Sequence, residues 1–418
     1  MNFLQSDSKK RIAVIGAGAA GLVAARECLR QGFEVKVFEK SSYIGGVWQY
    51  NSEVEDDLLG QNPKKPLHGS LYKSLCTNLP RKLMAFRDFP FEAEDGVSQF
   101  VSHERAQAYL DEFVERFDLQ PVIEFDTSVE SLRSAKEGRW RIKNSKTEES
   151  LFDAAMVCNG HYSNPRVPEI TGMETFEGVL MHSHNYRTPD MFKGKRVALF
   201  GAAASALDLS VEISQVAEQV YWCAEEHADI DVGEGIVRCG APKKFESRNL
   251  ELESGEFIND LDAFIFCTGY LYRFSFLEDG IVNVVDNWVH PLYMELIPPA
   301  HPTIAFVGLP YAVIPFPLFE VQVKWFTQSL AGKFDLPSKE EMDKWCDAHA
   351  DHLCGQNRKQ RNFHKMGAEQ YAYMNRLARD CGSDPLPYWF QPLAEEIRKQ
   401  RLVNALGYRD MPYECTEI

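Results

Sequence analysis

One segment near the amino terminus leaves this chain little choice of fold. Residues 11–15, RIAVI, form a short apolar run rich in β-branched side chains. Gly16-Ala17-Gly18-Ala19-Ala20-Gly21 follows at once, and LVAARECLRQG then places apolar residues at helical spacing up to Gly32. Residues 33–38, FEVKVF, alternate as a strand does and end at Glu39. Strand, glycine turn, helix, strand and acid, all in register, make a complete βαβ unit. Each part has a physical reason. Gly16 permits the tight turn, Gly18 lets a pyrophosphate approach the backbone, and Gly21 lets helix and strand pack closely. From Ala19 the helix offers free N–H groups and a positive dipole end to phosphates. Glu39 is placed to accept hydrogen bonds from ribose hydroxyls. The unit predicts a dinucleotide site.

A second unit follows midway. Residues 196–200, RVALF, read as a strand; Gly201-Ala202-Ala203-Ala204-Ser205-Ala206 reads as its turn; LDLSVEISQVA is helical and EQVYWC is the next strand. The second and third glycines of the first motif have become alanines, small enough to keep close approach. Two separated βαβ units predict an α/β protein with two Rossmann-like dinucleotide-binding domains, one for a tightly held cofactor and one for its reductant. Helical segments are expected over 104–117 and 392–405, strands over 139–143, 153–158, 261–267 and 303–308, and a polar helical region from about 339 broken by Pro385-Leu386-Pro387. The acidic run Asp229–Glu234 reads as a solvated loop.

Composition removes several function classes. The 418 residues carry 45 Lys plus Arg against 61 Asp plus Glu, a formal charge of −16. A nucleic-acid binder needs the opposite balance. No run approaches the ~18 apolar residues of a membrane span. The start, MNFLQSDSKK, lacks a secretory pattern, so a cytoplasmic protein is expected, or a secreted one if a leader has been removed. The ten cysteines include no CxxC spacing, which argues against a zinc site or a dithiol motif. They read as small buried hydrophobes in a reducing compartment.

The segment Phe176-Glu-Gly178-Val-Leu-Met-His182-Ser-His-Asn-Tyr186 fits the pattern FxGxxxHxxx(Y/F) between the two units. Gly45-Gly46-Val-Trp48, Thr77-Asn78-Leu-Pro80, Asp88-Phe-Pro90, Cys158-Asn159-Gly160-His161-Tyr162, Thr268-Gly269-Tyr270 and Glu320-Val-Gln322 stand around them in order. In these motifs the chain resembles the flavin-containing monooxygenases, and Tyr186 in place of Trp resembles the amine- and sulfur-oxidising branch. Lacking a carboxy-terminal apolar anchor, it resembles the short insect, plant and fungal members.

The resemblance implies FAD and NADPH as cofactors, and a C(4a)-hydroperoxyflavin that transfers oxygen from O2 to a soft nucleophile. The substrate would be a small tertiary amine, such as an alkaloid or xenobiotic, or a thioether. It implies an FAD-binding portion at 1–165 and 281–418, the latter ending in a helical region, with an NADP-binding domain inserted at 166–280. Crossovers are expected near Asn159–Pro168 and Thr268–Phe276. Asn78 is the residue expected nearest the chemistry, since an amide donates and accepts without titrating. Gly16, Gly18, Ala19, Gly21, Glu39, Gly46, Trp48, His68, Thr77, Val129 and Gln322 are expected at the flavin, and Gly201 and Ser205 at the nicotinamide nucleotide. Gln322 is placed at the flavin ring edge. His182 reads as structural, bonding a connection. Ala224-Glu225-Glu226-His227, where a 2′-phosphate needs cations, favours NADH unless His227, Arg238, Lys243 or Lys244 folds back. A homo-oligomer is possible on this reading. Two rivals stand beside it. A pyridine-nucleotide disulfide reductase needs a close cysteine pair after a nucleotide motif. A flavin-binding redox sensor or scaffold would have a degenerate nicotinamide site.

Overall fold

The computed structural model describes residues 9–91, 98–146, 149–227, 230 and 232–413. Of the acidic run, Asp229 and Asp231 therefore lie outside the described residues, as does Cys415. The first unit folds as read: β1 (Arg11–Ile15), α1 (Ala19–Arg30) and β2 (Glu34–Phe38). A long irregular stretch then leads through α2 (Arg81–Met84) and α3 (His103–Arg116) to β3 (Ile123–Glu124). An antiparallel layer of β4 (Val129–Ser134), β5 (Trp140–Asn144) and β6 (Ser150–Phe152) precedes β7 (Ala154–Val157). The second unit comprises β8 (Val179–His182), β9 (Arg196–Phe200), α4 (Ala204–Ser214), β10 (Gln219–Cys223) and β11 (Ile236–Cys239). A small antiparallel layer, β12 (Pro242–Glu246), β13 (Asn249–Leu252) and β14 (Phe257–Ile258), comes before β15 (Ala263–Phe266). The chain then makes a hairpin of β16 (Asn283–Val285) and β17 (Trp288–His290), and β18 (Ile304–Phe306). It ends in α5 (Pro315–Leu330), α6 (Lys339–Gly355), α7 (Glu369–Asp380) and α8 (Phe390–Val403).

Two five-stranded sheets dominate, ordered β18-β7-β1-β2-β3 and β11-β10-β9-β15-β8, and every pairing in both is parallel. In each, the strand that feeds the glycine turn is central. Strands covered on both faces read as continuous apolar runs, which is why RIAVI, RVALF and AFIF needed no alternation. The core follows the sheets: α1 and α5 cover one face of the first, while Trp140, Phe152 and Phe306 fill the other.

The alanines of the second motif have a structural explanation. Gly16 has φ +100°, and a Cβ there would stand 2.6 Å from the Cys158 carbonyl oxygen; Gly201 has φ +152°, and its Cβ would stand 2.3 Å from the Cys267 carbonyl oxygen. Both positions demand glycine. One turn later the demand lapses. Gly18 and Ala203 are the N-cap residues of α1 and α4 and share an extended backbone, φ −74° and −99°, which any residue adopts. Only at Gly21, where a Cβ would meet the Gly16 oxygen at 1.8 Å, does the first turn close more tightly than the second.

Candidate functional site

The two turns are prepared alike for anionic ligands. Neither α1 nor α4 has a side-chain cap or an acid in its first turn, so their leading N–H groups are left for a ligand. Beside the first turn, Glu39 is buried at 6% exposure. Its Oε2 accepts from the Ala17 N–H at 2.7 Å, and its Oε1 accepts from the Ser41 N–H and hydroxyl at 2.8 and 2.7 Å. The Gly45-Gly46 loop closes against Gly18 through a Gly45 N–H to Ala17 carbonyl bond of 3.0 Å. Trp48 is half-buried, edge-on to Phe316 at 6.1 Å. Val129 opens β4 two residues after Thr127, whose N–H bonds the Glu39 carbonyl at 2.8 Å. Ser205 lies in the first turn of α4.

Asn78 follows a residue that is pinned. Thr77 is buried, exchanges backbone and side-chain hydrogen bonds with Val101 and donates its hydroxyl to the Leu79 carbonyl at 2.8 Å. Its own carbonyl accepts from Arg409 Nε at 3.1 Å, and Arg409 reaches Asp208 on α4 at 3.6 Å. Tyr72 and Ser74 in the same segment donate to Asp208 and Glu212. The Asn78 turn is thus tied to the second unit while resting on the first. Asn78 itself is half-exposed, and its amide has no hydrogen-bond partner among the described residues.

His68 Nδ1 and His161 Nε2 are among the buried polar atoms with no hydrogen-bond partner among the described residues. Burial pushes His68 down to about 3 and His161 to about 4, so both rings are neutral at pH 7. The His161 ring packs on Tyr162 and Tyr272, Tyr162 on Tyr270, and Tyr270 on His182. All but His182, at the end of β8, belong to the two crossovers, which run antiparallel: Arg166 N–H bonds the Gly269 carbonyl, and Leu271 N–H bonds the Asn164 carbonyl.

The segment 176–187 is the knot between these parts. Phe176 packs on Phe245 at 4.8 Å. A Cβ on Gly178 would meet the Asp262 carbonyl at 2.6 Å. His182 Nδ1 accepts from the His184 N–H at 3.0 Å, so its Nε2 carries the proton and donates to the Gly269 carbonyl at 3.0 Å. Asn185 and Glu55 exchange hydrogen bonds of 2.9 and 3.1 Å. Tyr186 donates to Glu212 at 2.9 Å. Arg187, buried, donates to the carbonyls of Asn51, Glu53, Gly69, His184 and Tyr186. Arg187, Asn185, Glu55 and Arg409 escaped the sequence reading; only partners far along the chain reveal them, and the first three are buried.

Gln322 and the cations Lys243 and Lys244 have partners of their own within the chain. Gln322 is fully buried, and its amide is committed to the protein: Oε1 accepts from the Gly308 N–H at 2.9 Å and Nε2 donates to Tyr373 at 2.7 Å. Its observed work is to hold the turn after β18. Its neighbour Glu320 faces Arg26 at 2.8 Å and Lys324 at 2.9 Å, and accepts from the Arg87 N–H at 2.8 Å. Nor do the named cations gather at Glu225. Lys243 and Lys244 pair with Glu251 and Glu246 inside the β12–β13 layer, and His227 bonds the Cys239 carbonyl at 2.8 Å. Arg238 is exposed on β11. The cation at Glu225 is Lys359, 2.9 Å away. A groove of 560 Å³ beside Pro80, lined by Phe86, Phe91, Pro317, Trp389 and Phe390 among others, includes none of the residues singled out for cofactors.

The family model described as flavin-binding monooxygenase-like matches residues 9–230 and 225–391. The Arabidopsis thaliana protein named flavin-containing monooxygenase FMO GS-OX-like 3 is 40% identical, covering 96% of this chain and 93% of its own. The solved structure of S-allyl-L-cysteine S-oxygenase from Allium sativum superposes with a TM-score of 0.92 at 36% identity, over 96% of this chain and 95% of that one. Tmm from Pelagibacter sp. strain HTCC7211 superposes with a TM-score of 0.83 at 25% identity, over 96% and 93%.

Proposed function

The chain belongs to the flavin-binding monooxygenase family, and from that premise we propose that it is an S-oxygenase, using NADPH and O2 to oxidise the sulfur of small thioethers. Its cofactors are FAD and NADP(H). The residues present fit both groups: two glycine turns that a Cβ would fill, two uncapped helix starts, a buried acid after β2, and the unpartnered imidazole nitrogens of His68 and His161. The observation that carries the sulfur assignment is the whole-length likeness to S-allyl-L-cysteine S-oxygenase.

When bound, the flavin accepts hydride and activates dioxygen; the protein supplies place, orientation and dryness. In this reading Gly16, Gly18, Ala19 and Gly21 cradle the flavin nucleotide's pyrophosphate and Glu39 takes its ribose. Gly46, Trp48, His68, Thr77 and Val129 line the same nucleotide. Gly201 and Ser205 cradle the reductant. Asn78 presents a free amide to the reacting atoms, donating and accepting without changing charge. The pinned Thr77 fixes that amide in place, and the knot at 182–187 holds the two units together so that water stays out. The assignment of 166–280 to the nicotinamide nucleotide is part of the proposal, supported by the second sheet running from Val179 to Phe266. NADPH over NADH is supported by Lys359 beside Glu225, a cation supplied from the far end of the chain.

Anaerobic mixing of the holoenzyme with NADPH and with NADH, followed by oxygen and panels of thioethers and tertiary amines, tests the reading. Bleaching of the flavin, faster with NADPH, and sulfoxide formation are expected. N-oxide without sulfoxide overturns the sulfur assignment in favour of amines such as alkaloids. Flavin that stays yellow with both nucleotides overturns the enzyme in favour of the scaffold.

A further inference from the structure

The sequence separates Cys223 and Cys239 by sixteen residues, but the second sheet brings them together. They are register partners at the carboxyl ends of β10 and β11. Paired residues on neighbouring parallel strands stand about 4.8 Å apart and point to one face, inside the ~4.4–6.8 Å Cα span of a disulfide. Both side chains pack into the same core, and their mutual interaction holds Cys223 above and Cys239 below the ordinary thiol range, while the Cys239 sulfur lies 3.7 Å from the Val237 carbonyl. Cys223 is fully buried, while Cys239 is half-exposed. The other neighbouring pair, Cys28 and Cys158, is sealed within the first core. We propose that Cys223 and Cys239 form a reversible disulfide that tunes binding of the nicotinamide nucleotide at the adjoining loop 224–227.

The chemistry follows from the unequal exposure. Cys239, the more exposed of the two and lowered by its interaction with Cys223, is the thiolate that meets oxidant, and Cys223 resolves it. With hydrogen peroxide, the Cys239 sulfur attacks one oxygen, the O–O bond breaks, and sulfenic acid and hydroxide result. Cys223 sulfur then attacks the sulfenic sulfur, the S–S bond forms, and hydroxide leaves with the Cys223 proton as water. Two thiols lose two electrons and two protons, and one peroxide becomes two waters. Cross-strand geometry is not ideal for a disulfide, which makes the bond labile and easily reduced, as a switch requires.

The consequence reaches the nucleotide loop through the backbone. The Cys239 carbonyl accepts from the Ala224 N–H at 3.2 Å and from the His227 ring at 2.8 Å, and the His227 ring stands edge-on to Trp222 at 4.8 Å. Drawing the strand ends together moves the carbonyl to which both loop ends are fastened. This step rests on the reading of 224–227 as the loop beside the bound reductant.

The test treats full-length holoenzyme with graded hydrogen peroxide, blocks remaining thiols and maps cross-links by mass spectrometry. NADPH KM and flavin content are followed in parallel. A Cys223–Cys239 link, a several-fold rise in NADPH KM at constant flavin content, and recovery with dithiothreitol are expected. Cys239→Ala, at the half-exposed position, and Cys223→Ser are expected to abolish both the link and the peroxide response. Oxidation confined to the exposed Cys76 and Cys354, or a peroxide response that survives in Cys239→Ala, overturns the proposal. A clean link with unchanged KM overturns the coupling to the loop. A clean link in a protein that binds neither NADPH nor NADH instead overturns the nucleotide reading.

Discussion

The His182 imidazole bridges two segments 87 residues apart, its Nε2–H on the Gly269 carbonyl at 3.0 Å and its Nδ1 on the His184 N–H. Because the backbone donor fixes the tautomer, the ring acts as a strap and has no nitrogen left for proton transfer. His182→Ala removes both bonds at a fully buried site and is expected to cost about 2–4 kcal/mol. Thermal unfolding and flavin content would register it. A variant with wild-type melting and full flavin but abolished oxygen transfer would contradict the strap.

Stability should fall on the acid side of neutrality. Burial, reinforced by neighbouring histidines, holds His182 near 3 and His161 near 4, against about 6.5 in the unfolded chain. Below that value the unfolded state takes up protons that the folded state refuses, so stability drops as pH falls. A second loss follows lower down. Burial alone would raise Glu295, but the facing His364 and His349 outweigh it and hold its carboxyl at about 2. Its contribution is present above about 4.5 and drains away as pH approaches 2. Melting temperatures measured from pH 7.5 downward should decline below about 6.5, with a shallower decline in His182→Gln. A flat profile down to pH 5 would refute the assignment.

The first βαβ unit was legible because its signals are local: period, glycine turn and terminal acid all sit within 30 residues. The second was legible for the same reason, and its alanines cost nothing because position 203 keeps an extended backbone. What the sequence hid is made of distant partners. Gln322 reads as a ligand-facing amide, and only the fold shows that it also bonds Gly308 and Tyr373. Arg187 carries no motif at all, yet it gathers five carbonyls from three segments. Cys223 and Cys239 lacked any recognisable spacing because strand register, not sequence interval, makes them neighbours.

Arg26 is the charged centre of the first domain's α1–α5 contact. Its guanidinium is buried among Glu27, Asp88 and Glu320 at 2.7–2.8 Å, and over the rings of Phe113 and Phe117 at 5.1 and 5.2 Å. Removing Glu320 leaves Arg26 and Lys324 short of a buried carboxylate in a dry site. Glu320→Ala is expected to destabilise by about 3–5 kcal/mol, and to loosen the 86–91 segment that Glu320 also holds through the Arg87 N–H. Denaturant unfolding of the variant with flavin monitored in parallel checks this. A loss below 1 kcal/mol would mean that Asp88 and Glu27 suffice.

Asn78 separates chemistry from architecture more cleanly than any other position. Its amide makes no hydrogen bond among the described residues, while Thr77 before it carries the structural bonds. Replacing a half-exposed, unpartnered amide changes stability by no more than about 0.5 kcal/mol. An interaction made only with the reacting atoms, in contrast, is lost in full from the rate. Asn78→Ser is therefore expected to melt with the parent and retain flavin, yet oxygenate at least about tenfold more slowly, equivalent to about 1.4 kcal/mol of barrier. Single-turnover oxygen transfer in the pre-reduced variant isolates that step from hydride delivery. Unchanged transfer, or a defect confined to flavin retention, would move the centre of the chemistry away from this turn.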